Sequence, residues 1–131
     1  MSEATLLLAS PHQEDHEFVR RLFGASCWTV LSATTLDEAL ELAGRHEVTV
    51  VIAERRLGDG CWKAMWEKLT GTGTPPMLVV TSRDADNHLW GEVLNLGGYD
   101  VLAKPLDEEE VERVVSGAQR RWQSQHALQQ A

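Results

Sequence analysis

Short apolar runs alternate with helix-period stripes along the whole chain, and the alternation predicts five strands and five helices. Thr5 to Ala9 is a continuous apolar run, the form a strand takes when both faces of its sheet are covered. Ser10 and Pro11 suit an N-cap and a first helical position, Gln13 stands where a capping box wants it, and Phe18, Val19 and Leu22 form the inward stripe of the first helix. Trp28 to Ser32 reads as the second strand. Thr35 and Glu38 form a capping box before Leu36, Ala39, Leu40 and Ala43, and Gly44 ends that helix. Val48 to Ala53 is the third strand and Glu54 to Gly60 a loop. Trp62, Met65, Trp66 and Leu69 then recur at i, i+3, i+4 and i+7, a core stripe.

Glycine and proline make Gly71 to Pro76 a loop, and Met77 to Thr81 is the fourth strand. The fourth helix spans about Ala85 to Leu96, with Leu89, Val93 and Leu96 as its buried face. Gly97 and Gly98 stop it, Tyr99 to Ala103 is the fifth strand, and Asp107 with Glu110 caps a last helix that turns Val111, Val114, Val115, Ala118 and Trp122 inward. The tail Gln123 to Ala131 loses the stripe and is expected to fray. A helix continuous from Asp107 to about Leu128 would instead reach roughly 30 Å and protrude toward a partner. Alternating strands and helices with short connections imply a doubly wound α/β fold, a parallel sheet covered on both faces. One domain, 1–131, is expected, with a core over about 4–122, a C-terminal extension over about 119–131, and no effector domain downstream.

Composition narrows the function classes. The 131 residues carry a net charge of −8, which argues against contact with a nucleic-acid backbone. With 43% hydrophobic residues the chain can build a core. No apolar run approaches the ~20 residues of a membrane span, and Leu6 to Ala9 is too short for a signal sequence, so a cytoplasmic location is expected. Cys27 and Cys61 match no metal-knuckle or redox spacing and read as reduced core thiols.

In a doubly wound fold the chemistry lies beyond the carboxyl ends of the strands. Those places hold Ser10 and Pro11, Glu54, Thr81 and Ser82, and Lys104 with Pro105. The segment Glu54 Arg55 Arg56 Leu57 Gly58 Asp59 Gly60, the Thr81 Ser82 pair and the Lys104 Pro105 pair are spaced as in response-regulator receiver domains of two-component signalling, and the chain resembles that family from about Ala4 to Trp122. The resemblance implies a flavodoxin-like (βα)5 fold with strand order 2-1-3-4-5. It also implies phosphoryl transfer from a histidine kinase to an aspartate, with magnesium held by that aspartate and an acidic pair after the first strand.

Against that pattern the chain departs at three places. Glu54 stands at the phosphoacceptor position, and Ser10 and Pro11 stand where the acidic pair belongs. Glu14 and Asp15 fall in the first helix and are expected to point away, which leaves the pocket one carboxylate. No cofactor and no metal site are expected, and magnesium binding should be lost or weak. Glu54 is one methylene longer than aspartate, so its carboxylate should meet the Lys104 ammonium or the Thr81 hydroxyl and imitate a phosphoryl group. A partly exposed Glu54–Lys104 pair would contribute about 0.2 to 1 kcal/mol. Val101 takes the switch position, three residues before Lys104, where many receivers carry an aromatic. Tyr99 shares its strand parity but sits at the strand start, where a structural role is expected.

These readings describe a stand-alone atypical receiver, not an enzyme, frozen in one pocket state and acting through contacts with a histidine kinase or a separate effector. Trp90 and Leu94 widen the apolar arc of the fourth helix, which predicts a partner surface or a homodimer through the fourth helix, fifth strand and fifth helix. Arg55 and Arg56 read as surface charges. His12 and His16 bracket Glu14 and Asp15 at i, i+4, a spacing that can hold zinc, but with no third ligand they read as an exposed polar face. No sequence spacing assigns a ligand or catalytic partner to His46, His88 or His126. Two rivals stand beside this reading: a conventional phosphorylated regulator using Ser10 or Ser82, and a flavodoxin-like small-ligand module or enzyme. The second lacks a glycine-rich phosphate fingerprint after the first strand and a nucleophile with a base.

Overall fold

Five strands, β1 (Thr5–Ala9), β2 (Thr29–Ala33), β3 (Val50–Glu54), β4 (Met77–Ser82) and β5 (Asp100–Ala103), alternate with five helices, α1 (Gln13–Phe23), α2 (Leu36–Arg45), α3 (Trp62–Thr70), α4 (Asn87–Asn95) and α5 (Glu108–Gln130), in a computed structural model that describes residues 4–71 and 75–130. The strands form one parallel sheet in the order β2-β1-β3-β4-β5, the flavodoxin-like order. The pleat sends alternate residues to opposite faces. Leu6, Leu8, Val50, Ile52, Val79 and Leu102 meet Val19 and Phe23 of α1 and Val111, Val115 and Ala118 of α5. Leu7, Ala9, Val51, Ala53, Leu78, Val80 and Val101 meet α2, α3 and α4, including Trp62, Met65, Trp66, Leu89 and Val93.

Several local expectations are corrected. α1 starts at Gln13 with His12 as its N-cap, because the Ser10 hydroxyl accepts from the His12 amide and forms a tight turn before the helix. The α2 capping box forms, with the Thr35 hydroxyl accepting from the Glu38 amide and Glu38 accepting from the Thr34 amide, but the helix passes Gly44 to end at Arg45. Asp107 caps α5 through the Glu110 amide. That helix does not fray after Trp122: it continues to Gln130, about 35 Å at 1.5 Å per residue. Cys27 is exposed and Cys61 half-buried, so neither is a core thiol. Leu96 is 50% exposed because it follows the last helical residue of α4, and its carbonyl accepts from the Trp66 indole instead. Positions 72–74 of the expected glycine-proline loop, and Ala131 of the tail, lie outside the described residues.

The segment after β3 is not plain loop. Arg56–Leu57 and Gly60–Cys61 pair as a small antiparallel hairpin. Asp59 at its tip accepts from the Leu36 amide at 2.7 Å and the Asp37 amide at 3.3 Å, so the hairpin caps α2 from outside that helix. The Leu36 N–H, above all, holds the Asp59 carboxyl below its ordinary value of 3.8. A carboxylate with a lowered folded value stabilises above its unfolded value, and the contribution fades as pH falls through the folded one. Asp59→Ala should therefore lower the thermal midpoint near neutral pH, and calorimetry should show its gap from the parent narrowing below pH 3.8. A gap that stays constant with pH would show that the hairpin, not the carboxylate charge, carries the effect.

Candidate functional site

Strand parity decides which groups meet at the carboxyl edge of the sheet. Ser10 continues the Leu6 and Leu8 face of β1, Glu54 the Val50 and Ile52 face of β3, Thr81 the Val79 face of β4 and Lys104 the Leu102 face of β5. All four lie under the α1 side of the sheet. Glu54 is the last residue of β3 rather than a loop residue, paired in register with Thr81, and only 6% exposed. Its Oε2 accepts from the Thr81 hydroxyl at 3.1 Å and the Arg55 amide at 3.2 Å, and its Oε1 accepts from the Lys104 ammonium at 2.9 Å.

Asp15 overturns the expectation that the pocket has one carboxylate. It points inward, 4% exposed, while Glu14 faces solvent. Its Oδ2 accepts from the Lys104 Nζ at 2.6 Å and from the Ser10 Oγ at 2.6 Å. The Lys104 ammonium is thus clamped between two carboxylates, and the three side chains are 6%, 6% and 8% exposed for Lys104, Asp15 and Glu54. The surface-pair figure does not apply to such a cluster. In a buried cluster desolvation opposes the attraction, and the arrangement fixes geometry more than it adds net stability.

His16 is buried too, not part of an exposed face, and its Nε2–H donates to the Ser10 carbonyl at 2.8 Å. Asp15 and His16 therefore hold the side chain and the backbone of Ser10 respectively, which fixes the turn between β1 and α1. His12 is half-exposed, with Nε2 3.6 Å from Glu54 Oε1. Among the remaining candidates, the Ser82 hydroxyl accepts from the Asp84 amide, Pro11 and Pro105 are exposed, and Arg55 reaches the Asp84 carbonyl. Arg56 is exposed. Val101 is buried on the opposite face from Thr81, opposite Val80, so no side chain there reaches the Thr81 hydroxyl. Tyr99 does not share that face: it precedes β5 and packs against the α1 and α5 core with its hydroxyl beside Gly117.

Two clefts flank the cluster. One of about 480 Å³ is lined by Asp15, Phe18, Arg83, Lys104 and Leu106, the other of about 210 Å³ by His12, Glu54, Arg55, Ser82 and Arg83. Both clefts border the ion cluster.

No protein-family model and no curated protein matches the sequence. Solved structures do match the fold. The signal receiver domain of an HD domain-containing protein from Pseudomonas fluorescens Pf-5 superposes with a TM-score of 0.88 at 20% identity, over 97% of this chain and 95% of that one. The signal receiver domain of a putative Luxo repressor protein from Vibrio parahaemolyticus gives 0.90 at 13% identity, over 97% and 98%. A two-component response regulator from Clostridium difficile gives 0.82 at 20% identity, over 90% and 97%. The chain has the receiver fold.

Within this receiver fold the donor set can be tested against the magnesium that the family resemblance implies. Magnesium wants near-octahedral oxygen ligands and keeps several waters. Here both inward carboxylates converge on one ammonium, and among the described residues no group of three or more His, Cys, Asp or Glu side chains is placed to hold a metal ion. The set as arranged does not fit a divalent cation. Asp15 was the residue the sequence pattern missed, yet a signal was present: counting back four from Val19, itself four before Phe23, places position 15 at the top of the inward stripe of α1.

Proposed function

We propose that the chain is an atypical receiver, a cytoplasmic signalling module that works through protein contacts without magnesium-dependent phosphorylation of an aspartate. The observation that carries this reading is Glu54. A carboxylate stands at the end of β3 already bound by Lys104 and Thr81, the groups that a phosphoryl transfer site would need free. Ser10 is a poor alternative acceptor, since it is fully buried and its oxygen is engaged by Asp15 and the His12 amide. Intact mass measurement after incubation with acetyl phosphate and magnesium should find the chain unmodified. Stoichiometric labelling at Glu54, Ser10 or Ser82 would overturn the reading.

The partner, a histidine kinase or a separate effector, is expected on α4. Trp90 and Leu94 are 46% and 45% exposed there and lie one turn apart, a pairing that favours contact with a protein surface. Trp90→Ala should weaken self-association or partner capture by at least about tenfold, the effect of losing a central aromatic anchor, while changing stability by less than about 0.5 kcal/mol. Sedimentation velocity and pull-down experiments that match the parent chain would remove α4 from the proposal.

A further inference from the structure

We infer that the outer edge of β2 docks a second copy of this chain, which adds its own β2 in antiparallel register about Leu31 and joins the two sheets. This edge lies at the opposite end of the sheet from β5, beside which α4 packs, so it is independent of the α4 contact above. Backbone direction selects the free groups. The Thr29 N–H donates to the Ala4 carbonyl, and the Ala33 carbonyl accepts from the Ser10 amide. A strand alternates the side to which its backbone groups point, so Thr29, Leu31 and Ala33 bond to β1 while Val30 and Ser32 turn their N–H and C=O groups outward. Both ends of this stretch are closed: the Ser26 hydroxyl accepts from the Trp28 amide and the Glu38 carboxylate from the Thr34 amide. Among the described residues nothing pairs with the Val30 and Ser32 amides, and the open window is symmetric about Leu31.

The edge lacks the guards that keep a lone strand single. From Gly24 to Leu36 no charged residue and no proline occurs, in a chain that is 24% charged, whereas β5 at the other edge opens on Asp100 and is followed by Lys104 and Pro105. Thr29 and Ser32 are exposed and Val30 and Leu31 half-buried, which makes β2 the least covered strand of the sheet. A groove of about 460 Å³ borders it, lined by Arg20 of α1, by Trp28, Val30, Leu31 and Ser32, and by Leu42 of α2. Val30 belongs to the α1 side of the sheet and Leu31 to the α2 side, so the groove reaches both faces of the edge.

Two features select a second copy over an unrelated strand. Pairing about Leu31 lets Val30 and Ser32 exchange both backbone bonds with Ser32 and Val30 of the second copy, and it sets Leu31 against its own equivalent at the close, non-hydrogen-bonded position. The two-fold axis that does this stands perpendicular to the sheet, so α1 and α2 each run antiparallel to their equivalents. Each helix is acidic in its first turn, at Glu14 and at Asp37 and Glu38, and basic in its last, at Arg20 and Arg45, so acid faces base on both sides of the joined sheet. The contact closes on itself, because the guarded β5 edges end the joined sheet.

The test is sedimentation velocity on the full chain up to about 1 mM, the range in which a small strand-edge contact associates. The parent should show a reversible equilibrium between monomer and dimer. Ser32→Pro removes an outward N–H without touching a bond to β1, and it should weaken the dimer at least about tenfold. Thr29→Lys, a charge on the exposed edge, should do the same, and it decides the matter if the proline variant does not fold. A parent chain that stays monomeric overturns the inference, as does a folded Ser32→Pro or Thr29→Lys chain that dimerises as the parent does. Trp90→Ala should leave this dimer intact, so that its effect falls on partner capture. A dimer lost with Trp90→Ala and kept with Ser32→Pro places self-association on α4 and overturns the inference without touching the proposed function. Register is read from Leu31→Cys in a chain that also carries Cys27→Ser and Cys61→Ser. The close pair brings its Cα atoms about 4.5 Å apart, so air oxidation should link the chain to its copy, and a chain that stays unlinked overturns the pairing.

Discussion

Lys104→Met should unfold about 3 to 5 kcal/mol more easily than the parent chain in urea, the cost of leaving buried charge without its partner. The direction follows from the geometry. Methionine fills much of the lysine volume, so packing under α1 is largely kept, and what disappears is the positive charge between Asp15 and Glu54. Two carboxylates at 6% and 8% side-chain exposure would then face each other without the ammonium, with only the half-exposed His12 imidazole near Glu54. Adding Asp15→Asn and Glu54→Gln to the methionine variant should restore most of the loss, because neutral groups of the same shape remove the repulsion and keep the Ser10 and Thr81 hydrogen bonds. A loss of about 1 kcal/mol or less for Lys104→Met would mean that water entering through the two clefts screens the carboxylates as it does at a surface.

Trp62→Ala should cost a similar amount, about 3 to 5 kcal/mol, for a different reason. Trp62 opens α3 at 2% exposure, packed in the same core as Leu57, Met65 and Ala53, and its amide donates to the Arg55 carbonyl at 3.2 Å. The indole shares its buried cluster with Leu57 of the hairpin after β3. Truncation leaves a cavity beneath Leu57 and loosens the chain immediately after Glu54. Denaturant unfolding read by circular dichroism measures the loss, and Trp90→Ala is the contrast, since that indole is half in solvent. A Trp62→Ala loss below about 1 kcal/mol would show that the surrounding side chains collapse into the space.

The fold was legible because its signals are redundant. Each central strand is an apolar run, each helix carries a stripe, and either alone would place the element. The chemistry at Glu54, Thr81 and Lys104 was legible because sheet parity and strand ends confine it. Asp15 was misplaced because its charge suggested solvent, although its spacing to Val19 and Phe23 put it on the buried side. A polar residue on an apolar stripe is buried when something deeper compensates it, and Lys104 stands 89 positions away, beyond the reach of any local pattern. His16 was misplaced in the same way, because its partner is a backbone carbonyl that no composition reveals. The Asp59 cap on α2, 23 positions from Leu36, has the same origin.

The clamp on Lys104 also carries a consequence for the order in which the chain folds. Glu54 and Asp15 are both in place once β1, α1 and β3 have assembled, but their counter-charge follows β5, 50 and 89 positions away. Closing loops of that length is entropically unfavourable until intervening elements are packed, so contacts of this separation form late. Until β5 docks, the two acids at the carboxyl edge of the sheet are without their lysine. β5 therefore brings the one charge that pairs with both acids, and the cluster checks that the distant ends of the chain have met in the right register rather than pulling them together.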